Sequence, residues 1–214
     1  MKFFLDTANV ADIKYWSDMG LVDGVTTNPS LIAKEGRPFK EVVREICAIV
    51  DGPVSVEATS LEIEGILQEA RDLSAWADNI VIKIPFIKEG VKALPILKDE
   101  GISTNSTLTF SANQALIAMK AGTDYVSPFI GRLDDIAHYG MDVVADIMAM
   151  KNNYGFATRV IVASVRHPLH IIEAARIGAD ISTIPAQVLE KMFMHPLTDK
   201  GLESFLKDWR SVEV

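Results

Sequence analysis

Apolar residues fall along this chain in two alternating rhythms. Short runs rich in β-branched side chains recur at 2–6, 22–26, 54–57, 80–84, 102–104, 125–127, 160–163 and 181–183. Such runs are too brief for helices and lack a polar face, which predicts strands buried on both sides, as in a parallel sheet. Longer segments with a single apolar stripe lie between them, at 39–50, 62–77, 91–99, 111–121, 136–153, 169–177 and 187–193. In 62–77, for example, Ile63, Ile66, Leu67, Ala70, Leu73 and Trp76 sit close to the i, i+3, i+4, i+7 spacing of a helix with one buried face. Gly122 and Gly178 stand where a helix must stop and turn into the next strand, the usual place for a C-terminal glycine cap. Eight such units with short connections and no linker predict α/β architecture: a single-domain (β/α)8 barrel of the TIM type over 1–214. The alternative, a doubly wound open sheet, would carry a glycine-rich first turn, and neither G-x-G-x-x-G nor G-x-x-x-x-G-K-[ST] occurs.

Beyond the eighth unit, 198–211 reads as a further amphipathic helix capped by Thr198 or Asp199, with Leu202, Phe205, Leu206 and Trp209 on one face. It has no barrel strand to cover. It is expected to pack over the barrel mouth or on another subunit, and a role in assembly is favoured.

Composition narrows the partners. Hydrophobic residues make up 49% and charged residues 23% of 214 residues, the balance of an ordinary globular protein. A formal charge of −8 argues against nucleic acid or an anionic membrane surface as partner, while leaving small anionic substrates open. The lone Cys47 excludes an intrachain disulfide and suits a reducing compartment. An acid at position 6 interrupts any signal-like run, and no apolar stretch reaches membrane-span length, so a cytoplasmic protein is expected.

One residue breaks the pattern. In Asn79-Ile80-Val81-Ile82-Lys83-Ile84-Pro85 a lysine stands inside an aliphatic strand. An isolated buried ammonium is costly, and a desolvated lysine that sheds its proton is a nucleophile for carbonyls. The plain alternative is that Lys83 ends its strand and reaches out to solvent. In a barrel, chemistry sits at the C-terminal strand ends. Read there in order, the chain supplies Asp6, Thr26-Thr27-Asn28, Glu57 and Thr59, Lys83, Asn105 and Thr107, Ser127 and Arg132, Ser164 and Arg166, and Thr183. Each has a dull explanation as a cap, a turn or a surface group, but eight in register point to one site.

The parts suggest a reaction. Lys83 would attack a ketone; Glu57, Thr107 and a bound water would move the protons of carbinolamine formation and dehydration. Asp6 would take the proton from a departing hydroxyl when the adjacent carbon–carbon bond breaks. Arg132 and Arg166, with Ser164, suit a phosphate, and Asn28, Asn105 and Ser127 would read sugar hydroxyls.

The segments Phe4-Leu5-Asp6-Thr7-Ala8, Gly24-Val25-Thr26-Thr27-Asn28-Pro29-Ser30, Val81-Ile82-Lys83-Ile84-Pro85 and Ser127-Pro128-Phe129-Ile130-Gly131-Arg132 resemble the transaldolase family, and most closely its short members, which include fructose-6-phosphate aldolase. The similarity runs from the first strand to Asp208-Trp209. It implies a Schiff-base lysine at Lys83, an acid/base at Asp6 and a proton relay at Glu57 and Thr107. It further implies contacts to a dihydroxyacetone unit from Asn28, Asn105 and Ser127, with Thr27 beside them, and to phosphate from Arg132, Ser164 and Arg166. No metal or organic cofactor is implied, and the short members are similar in forming pentamer-based homo-oligomers, often decamers. The aldolase members carry glutamine where Glu57 stands and tyrosine where Phe129 stands. Both positions here hold the transaldolase residue, so transfer between ketose and aldose phosphates, as in the non-oxidative pentose phosphate pathway, is expected over cleavage to free dihydroxyacetone. Rival readings are a metal-dependent aldolase built on His167, His170 and Glu173, a non-catalytic sugar-phosphate-binding barrel, and an assembly protein with a vestigial site.

Overall fold

The computed structural model describes residues 1–212. Eight strands, β1 (Lys2–Asp6), β2 (Gly24–Thr26), β3 (Val54–Glu57), β4 (Ile80–Pro85), β5 (Thr104–Thr109), β6 (Tyr125–Pro128), β7 (Arg159–Val162) and β8 (Ile181–Ile184), run parallel, and β8 closes on β1. Around them lie α1 (Val10–Asp18), α2 (Pro29–Lys34), α3 (Phe39–Ile49), α4 (Ile63–Ser74), α5 (Lys88–Asp99), α6 (Ala112–Ala121), α7 (Ile130–Asp134), α8 (Gly140–Tyr154), α9 (Pro168–Ile177), α10 (Ala186–Phe193) and α11 (Pro196–Trp209). This is the (β/α)8 barrel that the alternating pattern predicts. None of these helices is long and apolar enough to cross a membrane.

Strand side chains alternate in direction, so each strand feeds two different environments. Outward residues such as Val25, Val56, Ile82, Ile84, Val126, Val160 and Val162 meet Ile13, Ile46, Ile66, Leu94 and Ile147 from the helices in one continuous core. Each such aliphatic side chain contributes roughly 1.5–3 kcal/mol on burial, which explains why the strands read as unbroken apolar runs. Inward residues form a separate cluster of Phe4, Val81, Tyr125, Ile161 and Ile181 that fills the barrel interior. The ring of Phe4 occupies the space in front of Gly24, where an added Cβ would lie 2.6 Å from it. Glycine is required there by closeness, not by backbone angle. One step further along the strands the inward positions turn polar, and that upper layer is the candidate site.

Local signals end the helices as read. Gly122, Gly155 and Gly178 close α6, α8 and α9 in the left-handed conformation. Asn9, Asn28 and Ser111 cap the starts of α1, α2 and α6, each accepting a backbone N–H.

Four expectations need correction. The fifth strand is β5 at Thr104–Thr109, not 102–104. Helices α1 and α2 are additional to those read from the apolar stripes. The helix read at 136–153 is α8 and starts later, at Gly140, where a side chain would collide with the Ile130 backbone at 2.6 Å; the short α7 before it is additional. The last helix starts at Pro196, and its cap is His195, whose ring nitrogen accepts from the Leu197 N–H; Thr198 and Asp199 lie inside the first turn.

Candidate active site

The register of the sheet builds the polar layer. Glu57 on β3, Lys83 on β4 and Asn105 on β5 are direct cross-strand partners, and Asp6 on β1 partners Thr26 on β2. Lys83 is 5% exposed, and its Nζ donates to the Thr27 carbonyl at 3.1 Å and meets Glu57 Oε2 at 3.1 Å. The ammonium is therefore paired rather than isolated, and the partner carboxylate is the group best placed to receive its proton. The ring of Phe129 lies 5.9 Å from the same nitrogen and 5.3 Å from the Arg132 guanidinium carbon. It presents an aromatic face and no exchangeable proton.

Asp6 sits on the opposite wall. Its Oδ1 accepts from Thr26 Oγ1 at 2.9 Å, and Thr26 Oγ1 in turn meets Thr183 Oγ1 at 2.5 Å. A hydroxyl has one proton to give, so Thr183 donates to Thr26 and Thr26 to Asp6. Burial pushes the Asp6 carboxyl above its ordinary range, against the opposing pull of Lys83 and the Thr26 hydrogen bond. A carboxylate held this way takes a proton more readily than a solvated one, as an acid/base group requires.

A third side of the layer is amide and hydroxyl. Asn105 is fully buried, donates from Nδ2 to Ser55 Oγ at 3.2 Å and accepts from Ser127 Oγ at 2.8 Å. Thr107, two residues along β5, has a fully enclosed hydroxyl with no hydrogen-bond partner among the described residues. An orphaned buried hydroxyl of this kind is completed by a bound water or substrate.

Asp6, Thr26, Asn28, Lys83, Ser127, Phe129, Arg132, Ser164, Arg166 and Thr183 line one cavity of about 190 Å³. Its rim carries both arginines. Arg132 projects from α7, and Arg166 from the loop after β7, with its Nη2 3.0 Å from Asp135 Oδ2. That loop carries Ser164 at φ +62°, an unusual angle for a residue other than glycine. A second, apolar cleft of about 490 Å³ opens beside α2 and α4, and Glu57 and Asn28 stand on its wall.

Most residues read from the strand ends thus meet around one space. Two differ in role. Thr27 turns its hydroxyl to the Ser55 carbonyl at 2.8 Å, and only its own carbonyl reaches Lys83. Asn28 Oδ1 accepts from the Leu31 N–H as the cap of α2, leaving Nδ2 for a ligand. Ser55, Thr26 and Thr183 hold the layer together and were not singled out as binding groups; counting strand parity from Asp6 and Asn105 finds them. The histidines take another part: the His167 and His170 rings lie tilted against each other with centroids 3.7 Å apart, and both nitrogens of His170 are engaged, by Asp134 and by the Arg166 N–H. They leave no lone pair for a metal at His170.

Comparison with known proteins identifies the family. The family model described as transaldolase/fructose-6-phosphate aldolase matches residues 3–213. A probable transaldolase of Methanococcus maripaludis (strain C7) is 63% identical over 211 residues, covering 99% of this chain and 98% of the relative. Others are 60% identical in Hydrogenobaculum sp. (strain Y04AAS1) over 212 residues and 59% identical in Aquifex aeolicus (strain VF5), each match covering 99% of this chain and 98% of the relative. Among solved structures, an inosine 5′-monophosphate dehydrogenase from Legionella pneumophila superposes with a TM-score of 0.61 at 15% identity, over 88% of this chain and 58% of that one, a likeness of fold alone. With its match to the family model running almost end to end, the chain belongs to the transaldolase/fructose-6-phosphate aldolase family.

Proposed function

We propose that this chain is a transaldolase that carries a dihydroxyacetone unit on Lys83 from a ketose phosphate to an aldose phosphate. The donor would be sedoheptulose 7-phosphate or fructose 6-phosphate, and the acceptor glyceraldehyde 3-phosphate or erythrose 4-phosphate. The observation that carries the reading is the enclosed Lys83 amine, 3.1 Å from the Glu57 carboxylate and on the same polar layer as Asp6.

Lys83 passes a proton to Glu57 and adds to the C2 carbonyl of the ketose. The carbinolamine loses its hydroxyl as water, with Glu57 returning the proton through a water held at Thr107, and a protonated imine remains. Asp6 then takes the proton of the C4 hydroxyl as the C3–C4 bond breaks. The bonding electrons flow into the iminium, giving an enamine on Lys83, and the aldose phosphate leaves. Addition of the enamine to the second aldose phosphate reverses these steps. The iminium is the electron sink, so the residues suffice without a metal or organic cofactor.

Transfer is favoured over release because Phe129, 5.9 Å from Lys83 Nζ, cannot protonate the enamine or activate water. Arg132 and Arg166 would hold the phosphate. The site fits a step of the non-oxidative pentose phosphate pathway, and a cytoplasmic place suits a chain whose one cysteine is free. Homo-oligomerisation belongs to the same reading. No residue of α11 is buried, and Phe205 and Trp209 stand 73% and 67% exposed, an apolar face suited to another copy.

Borohydride reduction in the presence of fructose 6-phosphate, read by intact mass and peptide mapping, tests the chemistry. A stable adduct on Lys83, absent in Lys83→Ala, is expected. Binding of the ketose phosphate without an adduct would leave only a sugar-phosphate-binding barrel.

A further inference from the structure

The two rim arginines come from different elements, and one imidazole joins those elements. Arg132 belongs to α7, whose last residue is Asp134; Arg166 lies in the loop between β7 and α9. His170, in the first turns of α9 and 4% exposed, meets Asp134 Oδ2 through Nε2 at 3.0 Å and the Arg166 backbone N–H through Nδ1 at 3.2 Å. A backbone amide can only donate, so Nδ1 is bare and the ring proton is on Nε2, pointing at Asp134. The remaining contacts between the two elements are tight. The Gly131 N–H donates to the Ser164 carbonyl at 3.1 Å, and a Cβ on Gly131 would fall 2.1 Å from that oxygen and 2.7 Å from Arg166 Nε. The Arg166 guanidinium also pairs with Asp135, just past α7, at 3.0 Å; that pair is exposed, whereas the imidazole that joins the two elements is buried. Burial and the neighbouring His167 both hold the His170 ring toward its neutral form, against Asp134 and Glu173.

We infer that His170 is a positioning residue for phosphate recognition: its neutral Nε2–H tautomer ties α7 to the Ser164–Arg166 loop and so sets the spacing of Arg132 and Arg166. This rests on the reading of those arginines as the phosphate-binding pair. The loop needs such a tie, because Ser164 holds a left-handed backbone angle that surrounding contacts must sustain. The imidazole is not among the groups that line the cavity holding Lys83. Its effect falls on the phosphorylated end and leaves the carbonyl chemistry alone.

Two polar substitutions separate the bonds. In His170→Asn the side-chain oxygen stands near the Nδ1 position and continues to accept from Arg166; in His170→Gln the amide reaches toward Asp134 and vacates that acceptor. The expected result is that His170→Gln raises the KM for fructose 6-phosphate and the inhibition constant of inorganic phosphate about tenfold, the effect of one buried amide left without its acceptor. His170→Asn keeps that bond but loses the link to Asp134, and with one end of the tie broken it raises both constants as well, by about threefold or more. In both, kcat and borohydride trapping of unphosphorylated dihydroxyacetone on Lys83 are unchanged. Arg166→Ala is the reference. If it raises both constants while His170→Gln and His170→Asn both stay at the parent values, the positioning role is overturned and the phosphate site stands. Equal losses of kcat and of dihydroxyacetone trapping in the two His170 variants overturn it as well, because they mark general damage. If Arg166→Ala itself changes neither constant, the phosphate reading falls and takes this inference with it.

Discussion

Replacing Asp6 by asparagine should make the protein more stable and nearly inactive, and both effects follow from the same surroundings. The substitution keeps shape and one hydrogen bond, since an amide oxygen accepts from Thr26 as the carboxylate does at 2.9 Å. It removes only charge, and Lys83 keeps Glu57 as a partner at 3.1 Å. Burial raises the Asp6 carboxyl more than Lys83 and Thr26 lower it, so the folded protein binds this proton more tightly than the unfolded chain does. Stability therefore falls as pH rises from the unfolded value of about 3.9 through the raised folded value, and the cost persists above it. Exchanging a buried charge for a neutral group of the same shape is worth about 1 kcal/mol or somewhat more. For a chain of this size that is a melting temperature higher by about 2–4 °C at pH 7. The advantage over the parent should shrink as pH falls below that window. Turnover should drop by about 10²–10⁴, the usual contribution of a positioned acid/base. Thermal melts by circular dichroism across pH 4–8, with a coupled assay for aldose phosphate release, measure both. A variant less stable than the parent at pH 7 would refute the reasoning, because Lys83 would then depend on Asp6 more than burial penalises it. So would a turnover loss smaller than about tenfold.

Gly24→Ala should lower the melting temperature, since its Cβ would press on the Phe4 ring at 2.6 Å and the Pro53 carbonyl at 2.7 Å. A cost of about 1–3 kcal/mol is expected, and an unchanged melt would show that the barrel interior yields more easily than packing implies. Phe129→Tyr places a phenol beside Lys83 and should shift product from transferred ketose toward free dihydroxyacetone, measurable by chromatography; an unchanged ratio would remove that residue from the choice between the two. Glu69 gathers the Thr59 and Ser60 N–H groups onto Oε2 at 2.6 and 3.3 Å, just past Glu57. Burial raises its carboxyl, but the hydrogen bonds from Ser60 and Thr59 together outweigh this and hold it below the ordinary range. Its stabilisation is present above the unfolded value and lost as pH falls through the lowered folded one. Glu69→Gln should therefore melt earlier than the parent at pH 7 and converge with it in acid, and a constant gap across pH would contradict the assignment.

The barrel was legible because outward strand residues face helices and must be apolar, which leaves unbroken runs such as Val160–Val162 against a polar background. Lys83 was legible for the same reason: a charge inside a β-branched run has few bland explanations. The fifth strand was misplaced because its inward positions Asn105 and Thr107 belong to the polar layer, so Thr104–Thr109 lacks the apolar signature of its neighbours. Its register also shifts between Ser106 and Thr109, with Leu108 at φ +56°, a distortion that composition does not announce. Thr26 and Thr27 are adjacent in the chain but point opposite ways, and only the pairing of Thr26 with Asp6 tells them apart. The His167, His170 and Glu173 spacing looked like a ligand stripe. Its meaning depended on Asp134 and the Arg166 N–H, brought in from other elements by the fold.

The apolar plug of Phe4, Val81, Tyr125, Ile161 and Ile181 closes the barrel below the polar layer, so the site opens toward the C-terminal ends of the strands. On the proposed reaction, expelled water, departing aldose phosphate and incoming acceptor all pass the same opening. Leaving and incoming aldose phosphates would use the same groups, Asp6 and the two arginines, so traffic alternates. The first product vacates before the second substrate enters, which is the ordering of ping-pong exchange, with the three-carbon unit waiting on the enzyme between visits. Sharing those groups makes each aldose phosphate a competitor of the other, so flux follows the ratio of the two in the surrounding solution.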